Sequence, residues 1–255
     1  MPCLCVLVSF KFEVDHLLDH LEGIKRRIVS GLKIYEGALG RVTVRVIKTG
    51  MGETHIDPLF FNDCSIVLST GVCGALTDKL RTGDVVIADE VIFVPGEQLE
   101  NVIAGKVQDY SLCRASLLRL KSHRFDLDGL IGAISVEEKG GGCLKVYRGR
   151  TITVTRVIGK IEEKRKLGSY FQAIACDMED FFRAEPFVKS GLPFLCTRVV
   201  LDELSDYVPA VKGLFIQKPF KTLHLLKKLP VAKRVISILI EKVALFLLPS
   251  IPASI

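Results

Sequence analysis

Residues 174–202 read IACDMEDFFRAEPFVKSGLPFLCTRVVLD. An apolar run at Ile174–Cys176 meets three acids, Asp177, Glu179 and Asp180, at a strand-to-helix junction. Met178–Ser190 then has the apolar spacing of an amphipathic helix. After Gly191 and Pro193, Phe194–Leu201 is a buried strand that ends on Asp202. The chain thus runs from strand to helix to strand, with carboxylates at both strand ends. A sheet covered by helices on both faces places its ligand sites at such ends.

The pattern recurs outward from this stretch. Leu4–Phe10 is an apolar strand, followed by helical spacing over Glu13–Leu21. Arg41–Lys48 alternates as a half-buried strand and stops at Thr49-Gly50-Met51-Gly52, a turn. Ser65–Leu68 is a further buried strand, running into Ser69-Thr70-Gly71-Val72-Cys73-Gly74-Ala75. Val85–Ile92, Leu130–Val136 and Thr151–Val154 read as strands, the last two around a glycine-rich turn at Gly140–Gly142. Tyr110–His123 and Ile161–Tyr170 read as helices. Alternating strands and helices predict an α/β fold of three layers, a central mixed sheet flanked by helices. Residues 1–211 are expected to form one catalytic domain. Residues 212–255 are expected to form a basic, apolar helical extension broken by Pro219, Pro230 and Pro249, not an independent domain.

Composition narrows the classes. With 255 residues, 49% hydrophobic and 25% charged, the chain is long enough for a large core and is not disordered. The net charge of +6 comes without a zinc finger, an aromatic RNA-binding signature or a basic arm, so no nucleic-acid partner is expected. Eight cysteines, several inside apolar runs, read as buried thiols in a reducing, cytoplasmic setting. No second pair accompanies Cys3 and Cys5 at zinc-site spacing, so no metal is expected. No run of eighteen apolar residues appears, and Leu4–Phe10 is too short for a signal peptide. The alternation of lysines with Leu, Ile and Val beyond residue 211 leaves two options: packing on the core or on a subunit partner, or lying on an anionic membrane.

Each candidate site feature has a plain structural alternative. Gly50, Gly52 and Gly71 let backbone approach a ligand, or simply turn the chain. Glu179 offers a carboxylate able to clamp a vicinal diol, or completes a helix N-terminus. Asp202 follows an apolar strand, as a partly desolvated general acid or as a helix cap. Glu13 opens the first helix, as a base for water or a favourable terminal charge.

In order, Thr49–Gly52, Ser69–Leu76, Arg81-Thr82-Gly83-Asp84-Val85-Val86-Ile87-Ala88-Asp89-Glu90, Asp177-Met178-Glu179 and Leu192-Pro193-Phe194 through Arg198–Asp202 resemble the purine nucleoside and uridine phosphorylase superfamily. That superfamily includes the methylthioadenosine/S-adenosylhomocysteine nucleosidases. The likeness covers roughly residues 4 to 209, and Arg198–Asp202 with Pro209 look most like its hopanoid-associated branch. The resemblance implies cleavage of the N-glycosidic bond of an adenine nucleoside, including a lipid-linked one such as adenosylhopane. Asp202 would protonate the base at N7, and Glu179 would bind the ribose hydroxyls beside Met178. Val157 and Ile158 would flank the base, Gly50, Gly52, Gly71 and Val72 would line the sugar and nucleophile side, and Glu13 would activate water in a nucleosidase. No cofactor is implied beyond phosphate as co-substrate, and a homo-oligomer is expected. The resemblance leans to phosphate as nucleophile. Water is the alternative, because Ser69 and Val72 stand where many phosphorylases place an Arg and a Ser. A homologue that keeps the fold without activity is the third reading.

Overall fold

A computed structural model describes residues 1–54, 56–107, 117–120, 127–135, 144–208, 219–246 and 248. Among the described residues the chain builds one mixed sheet of eleven strands. In chain order these are β1 (Cys3–Val8), β2 (Glu22–Val29), β3 (Leu32–Leu39), β4 (Val42–Lys48), β5 (Ile66–Ser69), β6 (Val72–Ala75), β7 (Val85–Val94), β8 (Leu117–Arg119), β9 (Val146–Val154), β10 (Ala175–Asp177) and β11 (Phe194–Asp202). The helices are α1 (Asp15–His20), α2 (Gly96–Ile103), α3 (Leu127–Ile134), α4 (Ile161–Phe171), α5 (Asp180–Ser190) and α6 (Pro219–Phe246).

Spatially the strands run β2-β3-β4-β1-β5-β11-β6-β10-β9-β7-β8. β11 also pairs antiparallel with β7, Thr197 opposite Ile87, so β11, β6, β10, β9 and β7 close on themselves. β11 therefore meets three neighbours: β5 along Phe194–Cys196, β7 along Thr197–Val199, and β6 along Val199–Asp202. That is why its first seven residues are all buried. β1, an unbroken apolar run, lies parallel between β4 and β5, with Leu4 opposite both Val44 and Ile66. A strand covered on both faces reads as such a run.

Helices cover both faces. α1, α3 and α6 share a core with β1, β4 and β11, built around Leu17, Leu130, Leu195, Ile236 and Leu239. α5 packs Phe181, Ala184 and Phe187 on the opposite face, with Phe187 stacked on Phe194 at 5.2 Å between ring centroids. α2 and α4 enclose a third cluster through Leu99, Leu167 and Phe171.

Several elements differ from the sequence expectation. The β2–β3 hairpin was not expected: β2 carries Lys25, Arg26 and Arg27 in succession and is exposed on both faces, so no alternation marks it. The strand expected over Leu130–Val136 is not found as far as Ser135, and Val136 lies outside the described residues; Leu127–Ile134 is α3. Short apolar runs do not distinguish the two states, and helical spacing puts Leu130 and Ile134 together against the core. The helix expected over Tyr110–His123 gives way at Leu117–Arg119 to β8, an edge strand on β7. Residues 108–116 and 121–126, the turn at Gly140–Gly142, the boundary at 211–212 and Pro249 lie outside the described residues.

Pro230 does not break α6, which runs through it, and Pro219 stands at its first position, where a missing N–H costs nothing. The apolar side of α6 is spent on the core through Ala232, Val235, Ile236, Leu239, Ile240, Val243 and Ala244. Of the large apolar residues described on this helix, Leu226, Val231 and Leu245 are exposed. No helix among the described residues is long and apolar enough to cross a membrane. Leu239→Ala is expected to lower unfolding free energy by about 2–5 kcal/mol in denaturant titration, the cost of a buried leucine. A change near zero would mean α6 is not part of the core.

Candidate active site

The cleft opens at the ends of β1, β6, β9, β10 and β11, with a volume of about 170 Å3. Of the residues singled out from sequence, Glu13, Val72, Val157, Ile158, Met178, Glu179 and Asp202 all line it. Ser9, Phe10, Met51, Gly74 and Arg156 line it as well. Gly50 and Gly52 stand on either side of Met51, and Gly71 lies behind Val72.

The three acids at the end of β10 do three different things. Asp177 caps α5: its Oδ1 accepts from the backbone N–H of Glu179 at 2.9 Å and of Asp180 at 3.0 Å, and from Thr153 Oγ1 at 2.9 Å. Asp180 turns inward to a bidentate pair with Arg198, whose Nε donates to Oδ2 at 2.7 Å and whose Nη2 donates to Oδ1. Burial pushes the Asp180 carboxyl up, but the Arg198 charge and these hydrogen bonds hold it well below the usual carboxylate range. Glu179 is left facing the cleft, 6% exposed, with Oε2 3.6 Å from Arg198 Nη2.

Arg198, to which the sequence reading gave no role of its own, is buried beside the site. It is 1% exposed inside an apolar strand, and a guanidinium there must be paired. Its Nη1 has no hydrogen-bond partner among the described residues. This nitrogen and Glu13 Oε1 crowd the same point: a Cβ added at Gly71 would collide with Nη1 and lie 2.8 Å from Oε1. Gly71 has φ +149°, a conformation side chains avoid, so it serves both turn and close approach. The other Glu13 oxygen, Oε2, accepts from the backbone N–H groups of Ser9 and Phe10, each at 2.9 Å. Burial raises the Glu13 carboxyl above its ordinary value, against the Phe10 N–H and the Arg198 and Arg183 charges, which pull it back.

Arg183 of α5, fully buried, binds the ends of three strands. Nη2 donates to Ser9 Oγ at 2.8 Å and Thr49 Oγ1 at 2.7 Å, and Nη1 to Ser69 Oγ at 3.3 Å. Ser69 in turn donates to Asp180 Oδ1 at 2.8 Å. Lys11 pairs with Asp15 at 3.1 Å on the surface, and neither Lys11 nor Lys48 lines the cleft.

Asp202 is aimed by a bulge. The β11–β6 register slips between Val200 and Asp202, and a bulge re-aims the next side chain. The carboxylate lies flat on Gly74, where an added Cβ would sit 2.8 Å from Oδ2. Burial raises its proton affinity; the charge and hydrogen bond of Lys164, 2.6 Å away, oppose that rise. The site thus sets a half-buried carboxyl, Asp202, at one end and a buried, hydrogen-bonded one, Glu13, at the other. Apolar walls, Val157, Ile158 and Met178, stand between polar groups, as in small-molecule sites. No group of three or more His, Cys, Asp or Glu among the described residues is arranged to hold a metal ion.

Known proteins share this arrangement of strands. Among curated relatives, the 5′-methylthioadenosine/S-adenosylhomocysteine nucleosidase of Staphylococcus haemolyticus is 24% identical over 204 residues, covering 77% of this chain and 85% of its own. The solved enzyme of that name from Neisseria meningitidis, in complex with methylthio-immucillin-A, superposes with a TM-score of 0.70 at 18% identity, covering 95% and 98%. A futalosine hydrolase mutant of Helicobacter pylori gives 0.67 at 16%, covering 94% and 98%. At these identities the structural likeness is one of fold. The sequence matches the family described as the phosphorylase superfamily over residues 4–216. That span includes every strand and turn that builds the cleft, and the chain belongs to the phosphorylase superfamily.

Proposed function

We propose that the chain hydrolyses the N-glycosidic bond of an adenine nucleoside of the methylthioadenosine type, with water as nucleophile. One observation carries this: the buried carboxylate of Glu13, fixed by two backbone N–H groups, faces the corner of Gly71 and Arg198. A carboxylate there draws a proton from water and repels a phosphate dianion. Ser69, which stands where a phosphate-binding Arg is found in many phosphorylases, is engaged by Asp180 and Arg183. These facts support water over the phosphate that the sequence resemblance favoured. The names of the relatives support adenine as the base.

In this reading Glu179 accepts hydrogen bonds from the ribose hydroxyls, and Val157, Ile158 and Met178 enclose base and sugar. Water oxygen attacks the anomeric carbon as Glu13 takes its proton. The C–N electron pair leaves with the base, which receives a proton at N7 from Asp202. Met51, 59% exposed at the cleft wall, offers an apolar contact to a 5′ group, and a lipid-linked adenosine is the finer alternative substrate.

The test is adenine release from methylthioadenosine with and without phosphate, with mass analysis of the sugar. Free sugar at a phosphate-independent rate is expected. A sugar 1-phosphate formed only with phosphate present would overturn the reading. The kcat/KM is expected to be bell-shaped in pH, because Glu13 works ionised and Asp202 works protonated. Burial raises both carboxyls, so the acidic limb lies above the ordinary carboxylate range. A rate flat from acid to alkaline pH would exclude this pairing.

A further inference from the structure

Behind Asp202 lies a second charged structure that the chemistry above does not use. Lys164, in the first half of α4, is fully buried. Its ammonium has three protons and three acceptors: Asp202 Oδ2 at 2.6 Å, the carbonyl of Glu203 at 2.8 Å and that of Asp206 at 3.0 Å. From the other side, Lys228 of α6 donates to Asp206 Oδ2 at 2.6 Å and lies 3.5 Å from Glu203 Oε1. Asp206 Oδ2 also accepts from the Glu203 N–H at 2.7 Å, and Glu203 Oε1 accepts from Thr82 Oγ1 at 3.1 Å. The segment after Asp202 is therefore held from α4, from α6 and from the turn before β7. The charged groups around Asp202 are Lys164, Lys228 and Asp206, and the thiols of Cys73 and Cys176 border it.

Two consequences follow from this geometry. Lys164 engages one oxygen of Asp202, Oδ2, and so distinguishes it from Oδ1. A full positive charge 2.6 Å away also favours the ionised form. An acid stranded too far above working pH keeps its proton and donates poorly.

We propose that Lys164, braced by Lys228 through Asp206, is the positioning residue of the glycosidic acid: it fixes which oxygen of Asp202 meets the base and keeps that carboxyl able to release its proton. This rests on the reading of Asp202 as the acid. It gives the C-terminal helix a part in the chemistry, since Lys228 belongs to it.

The test compares wild type, Lys164→Gln and Lys164→Arg by the pH profile of adenine release and by carbon-13 NMR titration of the Asp202 carboxyl, assigned with Asp202→Asn. In Lys164→Gln, the Asp202 midpoint and the basic limb are expected to rise by about one to three units, the effect of removing an adjacent opposite charge. kcat should fall by more than KM changes, and Lys164→Arg should bring the limb back toward wild type. A folded Lys164→Gln protein whose titration and limb superimpose on wild type would overturn the proposal. Should Lys164→Gln not fold, Lys228→Met decides: its side chain is 16% exposed, and its loss should move the Asp202 midpoint upward by less. An unmoved midpoint there overturns the brace and the proposal with it. If wild type releases no adenine from any nucleoside, the functional reading fails on its own, and the carbon titration still reports whether Lys164 governs Asp202.

Discussion

Asp202→Asn is expected to lower kcat for adenine release by roughly 10²–10⁴-fold, the usual weight of a positioned general acid, while adenine still binds. The substitution keeps the shape that lies against Gly74 and removes only the transferable proton. It also leaves the buried Lys164 ammonium facing a neutral amide, although the Glu203 and Asp206 carbonyls remain its acceptors. Losing a buried charge partner costs stability, so turnover must be measured on protein shown by circular dichroism to be folded. Single-turnover adenine release with calorimetric titration of adenine separates the two effects. A folded Asp202→Asn variant with near wild-type kcat would remove Asp202 from the chemistry and leave it a structural carboxylate.

The residues that were legible in the sequence are those whose setting repeats a simple pattern. Asp202 and Glu179 stand at the ends of apolar strands, and seven of the ten candidate residues line the cleft. Their partners were not legible, because pairing across the fold has no local signal. Lys164 sits among Glu162, Glu163, Arg165 and Lys166 in what reads as a solvated helix face, yet it is the one of these that is buried. Arg183 looks like the polar side of an amphipathic helix and is fully buried against three strand ends. Arg198 did carry a signal: a charge between Thr197 and Val199 in a strand otherwise apolar. The crowd of acids at Asp177–Asp180 was visible, but not that Asp177 caps, Asp180 neutralises Arg198 and Glu179 lines the cleft with no cap to make. The sheet is a similar case. The buried strands β1, β5 and β11 were plain, whereas β2, whose two faces both meet solvent, shows no periodic trace of pairing.

Gly71→Ala is expected to damage both stability and rate. At φ +149° an alanine is strained by about 1–3 kcal/mol, and its Cβ would need space already held by Arg198 Nη1 and Glu13 Oε1. Neither can easily yield. Arg198 is fixed by the bidentate Asp180 pair, and Glu13 by two backbone N–H groups. Something must move by about an ångström, and a shift of that size costs on the order of 10²-fold in rate. Gly191→Ala separates strain from crowding. Gly191 also has positive φ, +70°, but nothing lies within 4 Å of an added Cβ, and it ends α5 away from the cleft. Its variant should lose stability and keep kcat/KM per folded molecule, whereas Gly71→Ala should lose both. Equal kcat/KM in the two variants would mean that the corner shared by Gly71, Glu13 and Arg198 is packing alone, and that the water-activating role given to Glu13 is wrong.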